Sequence, residues 1–485
     1  MKIALTTLLV AVLYAVFASN ATASAAEAVV TVDFSREVGP VKPMHGVGQP
    51  PMVGALAGWS MMRYLKEAGI PYARLHDVGD CFGGGLYVDI PNLFPDFDAD
   101  ESDGANYRFA YTDSLMKALE ANGVEPFFRL GVSIEPFVRK GYPAVNINPP
   151  RDYAKWARIC EHVIRHYTEG WANGFRMKID YWEIWNEPEN YADPKDNCMW
   201  RGDWKSYVEF YGVAATYLKA KFPHLKIGGY GSCGFYAGVG SDRVAAANSS
   251  PRMEYFVECF RSFLSAVRDN RWPLDFFSFH SYSAPAEALR QVRFADENLT
   301  AYGFTANRCE RIFNEWLPYV KQENLGTALQ AAGIAAELIG LQSGPCDVAC
   351  IYDAKCGVGP YSPLFNPMTC KPHKAYYALK YFNELYRMGR AVKAMSRDSR
   401  LAVAAAVGGN GGAVFAANDS DEAVSFSLAI GGMRVVSCRI TDETHTDVEV
   451  PVPSELPPHA FVLLSCANGG AAERPAPDVE TTDER

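Results

Sequence analysis

Tyr181-Trp182-Glu183-Ile184-Trp185-Asn186-Glu187-Pro188 is a short apolar strand that runs into a polar Asn-Glu pair and is stopped by a proline. Strands of the same kind recur on both sides of it, at Met44–Val47, Tyr72–His76, Glu125–Gly131, Leu225–Tyr230, Leu274–His280, Cys309–Asn314 and Asp347–Tyr352. Helical patterns lie between them, among them Asp113–Asn122, Asp152–Thr168, Trp204–Lys221, Met253–Arg268, Ala286–Ala301 and Leu325–Leu341. Pro149-Pro150-Arg151-Asp152 marks one helix start and Asn122-Gly123 one helix end. Strands alternating with helices are parallel β/α units, and eight of them between residues 43 and 390 predict an α/β fold, a (β/α)8 TIM barrel. A doubly wound open sheet is the rival, weakened because no glycine-rich phosphate loop follows an early strand.

The pattern changes near residue 391. Leu401–Val407, Gly412–Ala417, Ala423–Ala429, Val435–Ile440, Val448–Val452 and Phe461–Leu464 are strand-like runs joined by Gly, Asn and Asp turns, which predicts an accessory C-terminal β-sandwich over 391–467. An alternating stretch within 26–42, Val29–Phe34, is expected to join it. The segment 468–485 has no apolar period and is expected to be disordered. At the other end, Lys2, the apolar run Ile3–Phe17 and Ala23-Ser24-Ala25 fit a secretory signal over 1–25, with a retained anchor as the alternative. The expectation is therefore a secreted or periplasmic protein with no membrane span after signal cleavage.

Of the 485 residues, 48 % are apolar and 21 % charged, an ordinary globular balance. A net charge of −10 makes a nucleic-acid partner a poor candidate. The 12 cysteines leave three readings open, namely disulfides, buried thiols and a metal held by Cys346, Cys350, Cys356 and Cys370, whose gaps are irregular for zinc. Cys438 and Cys466 are candidates to bridge two strands. Asp96, Asp98, Asp100, Glu101 and Asp103 have part of a calcium-loop spacing but lack the glycine, so a solvated acidic loop is the preferred reading.

In a barrel, Glu187 sits at the C-terminal mouth, where active sites are built. Arg311-Ile312-Phe313-Asn314-Glu315-Trp316 ends in a second carboxylate, Glu315. Two carboxylates in one mouth are what glycoside hydrolysis needs, one to protonate the leaving oxygen and one to attack or to activate water. The alternatives are an Asn-Glu-Pro that only turns the chain and a Glu315 salt-bridged to Arg74 or Arg129.

With these segments in order, the chain resembles the clan A glycoside hydrolases, most closely family 39, which includes β-xylosidases and α-L-iduronidases. The resemblance spans about Gly46 to Tyr381. It rests on Arg74-Leu75-His76-Asp77, Pro126-Phe127-Phe128-Arg129-Leu130-Gly131, Trp182 to Pro188, Leu225-Lys226-Ile227-Gly228-Gly229, Phe279-His280-Ser281-Tyr282 and Phe313-Asn314-Glu315-Trp316. It implies a retaining enzyme with Glu187 as general acid/base and Glu315 as nucleophile, their carboxyl groups roughly 5–5.5 Å apart. It also implies that Asn186 binds the sugar 2-hydroxyl, that His280 and Tyr282 orient Glu315 or bind substrate, and that Arg74 keeps Glu315 ionised. Trp185 and Trp316 are candidate stacking walls, and His76 a weaker substrate-binding candidate. The implied partner is an oligo- or polysaccharide, with no cofactor and no metal. The sequence departs from the β-xylosidases in Asn-Glu-Trp where they carry Thr-Glu-Phe, in its cysteine content, and in the loops Cys81–Asn106 and Cys350–Lys371. A non-catalytic carbohydrate-binding barrel is the rival function.

Overall fold

The computed structural model describes residues 28–51, 61–78, 87–134, 145–241, 250–409 and 411–468. Strands β2 (Gly46–Gly48), β3 (Tyr72–Leu75), β4 (Glu125–Leu130), β5 (Tyr181–Ile184), β6 (Lys226–Ser232), β7 (Phe276–Ser281), β8 (Glu310–Trp316) and β9 (Val348–Ile351) close into one parallel barrel. Helices return the chain between strands, and side-chain caps start several of them. Asp152 accepts from the Lys155 N–H, Asp203 from Ser206 and Thr327 from Gln330. The open-sheet alternative is thereby excluded.

The two-residue period of the strands builds the barrel interior in layers. Tyr72, Phe127, Tyr181, Phe276, Ile312 and Val348 form a separate apolar cluster near the strand N-termini. Phe127 and Tyr181 stack in it with ring centroids 5.0 Å apart. Two residues further along four of these strands stand Arg74, Glu183, Ser278 and Asn314, hydrogen-bonded to one another across the interior. The apolar plug below denies this polar layer access to water from one side, so its members must satisfy each other. β8 carries an irregularity at this height. Phe313 pairs with Phe279, but Glu315 pairs with His280, leaving Asn314 as the extra residue. A bulge of this kind re-aims side chains, and here both Asn314 and Glu315 turn toward the interior.

The C-terminal region departs from two separate sheets. Eight strands are hydrogen-bonded in the order β14-β1-β10-β11-β12-β18-β15-β16, namely Leu428–Gly431, Val30–Pro40, Arg390–Ser396, Leu401–Gly408, Gly411–Asn418, Ala460–Asn468, Met433–Thr441 and Val448–Val450. Val30 and Val32 from β1 share one core with Cys438 and Ile440 from β15, so the two ends of this sheet curl over a common interior. The run 423–429 is split. Val424–Ser425 pairs with Glu455–Leu456 as a two-stranded ribbon, and only the rest enters the large sheet. Arg390–Ser396 was not legible as a strand. Its Arg and Lys break the apolar run, and it is held by pairing with β1 and β11 on either side. Asn468, placed in the tail by sequence, ends β18; residues 469–485 and the signal segment 1–25 lie outside the described residues.

The outer face of this sheet packs on the barrel helices Ala328–Ser343 and Lys374–Met388, with Phe415 and Phe461 against Tyr381. Glu337, on the first of these helices, is buried with neither oxygen partnered among the described residues. Burial pushes its carboxyl well above the ordinary range, and Asp419 adds to this. A raised folded-state value means that the stability is full below the ordinary value of 4.5 and is lost as pH rises toward the folded value. Glu337→Met is therefore expected to stabilise the protein at pH 8 by roughly 2–3 kcal/mol and much less at pH 4.5. Urea unfolding at the two pH values checks this, and an equal effect at both would show that Glu337 is not buried uncharged.

Among the described residues all cysteines are free thiols, so the disulfide reading finds no support there. Cys438 faces Leu464 and Cys466 faces Val435, a register that does not set the two cysteines opposite each other. No helix among the described residues is long and apolar enough to cross a membrane. In the acidic loop, Asp96 and Asp100 accept from backbone N–H groups, Asp98 pairs with Arg151, and Glu101 with Lys155 and Arg158.

Candidate active site

Directly after β5 the backbone turns through two left-handed residues, Trp185 (φ 76°) and Glu187 (φ 43°). Strained conformations of this kind cost about 1–3 kcal/mol each and persist where the surroundings fix them. Here the Glu187 N–H donates to the Gly231 carbonyl at 3.0 Å, and the Trp185 indole donates to the Met199 carbonyl at 2.8 Å. The turn sends Trp185 outward among Trp156, Trp200 and Phe210 and leaves Asn186 and Glu187 facing the mouth.

Glu187 and Glu315 meet there. One oxygen of each and a ring nitrogen of His280 all lie within 4.8 Å of one another. His280 Nδ1 is 2.8 Å from Glu187 Oε1 and 3.6 Å from Glu315 Oε2. Glu315 also accepts from Arg74 Nη1 at 3.0 Å and from the Tyr282 hydroxyl. Glu187 accepts from Asn190 Nδ2 at 2.9 Å on its second oxygen. Asn186 Oδ1 accepts from Arg74 Nη2, which fixes its amide with the NH2 group free to face a ligand.

Arg74 is the hub of this site. It is fully buried, and against the cost of burial Glu183 and Glu315 keep it charged. Gly231 (φ 61°) passes beside the hub. A Cβ there would come within 3.0 Å of Arg74 Nη2, 3.1 Å of Asn186 Oδ1 and 3.1 Å of His280 Nε2, so only glycine leaves these three groups in place. Burial pushes Glu315 up and the Glu187 charge adds to this, against His280 and Arg74. For Glu187 the upward push of burial is outweighed by the His280 hydrogen bond and by the charges of His280 and Arg252, which hold it low. These three groups have the composition of a cation site. Arg74, Tyr282 and Asn190 already donate to the carboxylates, however, and the fixed charge of Arg74 beside Glu315 opposes a divalent ion.

The structure brings together Glu187, Glu315, Asn186, His280, Tyr282 and Arg74 from the sequence reading. It does not bring the two tryptophans to the mouth as stacking walls. Trp185 is 1 % exposed in the barrel-helix core, and Trp316 is 0 % exposed with its ring beside Phe313. His76 lies under the site with Nε2 3.4 Å from Asp77. Burial and the charges of Arg74 and Arg129 keep it neutral. Arg129 pairs with Asp89 at 2.7 Å instead of Glu315.

Sequence reasoning missed Glu183, Asn190, Asp77 and the tyrosines Tyr352 and Tyr361. Glu183 carried a signal, a charge inside an otherwise apolar strand. The tyrosines carried none, because they reach Tyr282 from the loop after β9, with ring centroids 6.3 and 5.0 Å away. Asp77 touches the Tyr352 hydroxyl, and burial pushes its carboxyl up to about 6.

The family model of glycosyl hydrolases family 39 matches residues 63–326, more than half of the chain and most of the barrel. The chain belongs to glycosyl hydrolases family 39. A β-xylosidase of Geobacillus stearothermophilus is 27 % identical over 221 residues, 45 % of this chain and 39 % of that protein. One from Caldicellulosiruptor saccharolyticus is 29 % identical over 168 residues, 34 % of this chain and 31 % of that protein. The chain thus matches well under half the length of these relatives. Among solved structures, a glucosidase from Croceicoccus marinus superposes with a TM-score of 0.69 at 20 % identity, covering 91 % of this chain and 99 % of that one. A monomeric β-xylosidase from Caulobacter crescentus gives 0.64 at 18 % identity over 90 % and 99 %. These likenesses are of fold and span both the barrel and the C-terminal sheet.

Proposed function

We propose that this protein is a retaining glycoside hydrolase that cleaves a β-xyloside or a similar uncharged glycoside by double displacement. The observation that carries the reading is the pair Glu187 and Glu315, with oxygens within 4.8 Å across one barrel mouth and different partners on each. Carboxylates this close suit a nucleophile facing an acid/base rather than the wider pair of an inverting enzyme. In the first step Glu315 attacks the anomeric carbon as Glu187 gives its proton to the leaving oxygen, forming a glycosyl-enzyme ester and a free alcohol. In the second step Glu187 takes a proton from water, which displaces Glu315 and releases the sugar. Asn186 holds the 2-hydroxyl, a contact that tightens as the anomeric carbon becomes cationic.

The working cycle needs the proton on Glu187 when the glycoside binds. Glu187, His280 and Glu315 are close enough to titrate as one unit, so the site's proton count matters more than its resting share. A glycosidic oxygen against Glu187 gives the proton an acceptor on that side. Arg74 and Tyr282 leave Glu315 two donors for its ionised form.

Release of 4-nitrophenol from a panel of aryl glycosides tests the proposal. Turnover on one uncharged glycone, with the first-formed sugar in the retained configuration, is expected. Inversion, or turnover only on uronides, would refute it. The proposal includes export: the mature chain is expected to begin near residue 26 in the medium or periplasm, which N-terminal sequencing of the recovered protein decides.

A further inference from the structure

Glu187 is held from behind by a group that the reaction scheme does not use. Arg252 lies in the first turn of the helix Ser250–Asn270. Its guanidinium lies over the rings of Tyr191, at 4.2 Å, and Phe256, at 5.0 Å. It forms no ion pair with a carboxylate among the described residues. Its donors go instead to Asn190, with Nε to the backbone oxygen at 2.8 Å and Nη2 to Oδ1 at 3.2 Å. A guanidinium can only donate, so it fixes which end of the Asn190 amide is which. Oδ1 must face Arg252, and Nδ2 must face Glu187, where it donates to Oε2 at 2.9 Å. Asn190 is buried, so water does not offer its amide another orientation.

We infer that Arg252 and Asn190 are positioning residues that bias Glu187 toward its ionised form through the fixed Asn190 amide, and so set the alkaline edge of the hydrolysis. The inference rests on the acid/base reading of Glu187. A donor and a cation on the far side of the carboxyl favour loss of its proton, which keeps more of it as the carboxylate that the second step needs and less of it as the acid that the first step needs. Among the described residues, the other titratable groups near Glu187 are His280 from β7, Tyr282 just after it and Glu315 from β8, with Glu189 on its own loop and the thiols of Cys198 and Cys233 beside it. Burial pushes both thiols up, which keeps them neutral. Glu189 accepts from Ser232 Oγ and the Cys233 N–H, and burial pushes its carboxyl up to about 7.

The test is kcat/KM against pH for the full-length protein, on the phenyl glycoside of the glycone that the aryl panel selects. A phenol is a poor enough leaving group to need the acid. Arg252→Met is expected to move the alkaline edge upward by roughly half to one pH unit, and Asn190→Ala to move it the same way. The double variant should move it by less than the sum, because both act through one amide. Arg252→Lys keeps the charge and should return part of the shift. Glu189→Gln is the control, and the Arg252→Met shift should survive in its background. A folding defect alone would lower kcat at all pH values and leave the edge in place, and that result overturns the inference. Failure of the acid/base reading shows differently: Glu187→Ala would then hydrolyse phenyl and dinitrophenyl glycosides in the wild-type ratio, which overturns both.

Discussion

Glu315→Ala is expected to lower turnover of every aryl glycoside by at least about 10⁴-fold, roughly 5 kcal/mol of transition-state stabilisation, whatever the leaving group. The loss is general because in the proposed reaction Glu315 forms the bond to the anomeric carbon, and no other carboxylate among the described residues is placed to replace it. Asp77 is engaged by the Ile134 N–H and Tyr352, and Glu183 by Arg74, Ser278 and Asn314. Glu187→Ala should behave differently. Dinitrophenyl glycosides, which leave without a proton, should still form the glycosyl-enzyme at near wild-type rate and then stall, whereas phenyl glycosides should lose about 10²–10⁴-fold in kcat/KM. Azide separates the two roles by product. In Glu187→Ala it attacks the intermediate and yields a glycosyl azide of retained configuration. In Glu315→Ala it fills the place of the missing carboxylate and attacks the substrate directly, giving inversion. If both variants gave the same azide anomer, the assignment of roles would be wrong.

Much of this site was legible because the barrel imposes a period of two on each strand. Tyr72 to Arg74, Tyr181 to Glu183 and Phe276 to Ser278 to His280 step up one interior face, so a polar residue two places beyond an apolar one marks the approach to the mouth. What broke the period was not legible. The bulge at Asn314 decides that Glu315 faces inward, and the left-handed Trp185 decides that its ring faces outward. An indole beside Glu187 or Glu315 looks the same in sequence whether it walls a sugar site or packs the barrel top, and only the structure places Trp185 and Trp316 in the core. Asn190, Tyr352 and Tyr361 come from loops whose paths depend on distant contacts. The Arg252 that fixes Asn190 is 62 residues away in sequence. The β10 strand was hidden for a related reason: its partners, β1 and β11, supply the order that its own composition does not.

Glu183 has no step in the proposed reaction, yet its removal should have the largest effect on folding. Its two oxygens accept from Arg74 Nε at 2.8 Å, Ser278 Oγ at 2.6 Å and Asn314 Nδ2 at 2.7 Å, all inside the closed barrel. Glu183→Ala would leave three buried donors without an acceptor and Arg74 with Glu315 as its remaining carboxylate. Breaking a buried pair from one side costs roughly 3–5 kcal/mol, because the surviving charge stays desolvated. Glu183→Gln keeps one acceptor oxygen and should cost less, yet it still hands the whole Arg74 charge to Glu315. The consequence for the reaction has a definite sign. Burial now holds Glu315 above the ordinary carboxylate range, and a cation shared with fewer partners lowers it. The acid edge of kcat/KM should therefore move to lower pH in Glu183→Gln, while the urea midpoint of its first unfolding transition falls. An acid edge that stays in place while stability falls would mean that Glu183 only supports the barrel. A midpoint unchanged in Glu183→Ala would mean that water reaches the polar layer, and that the apolar plug formed by Phe127, Tyr181 and Phe276 does not seal it.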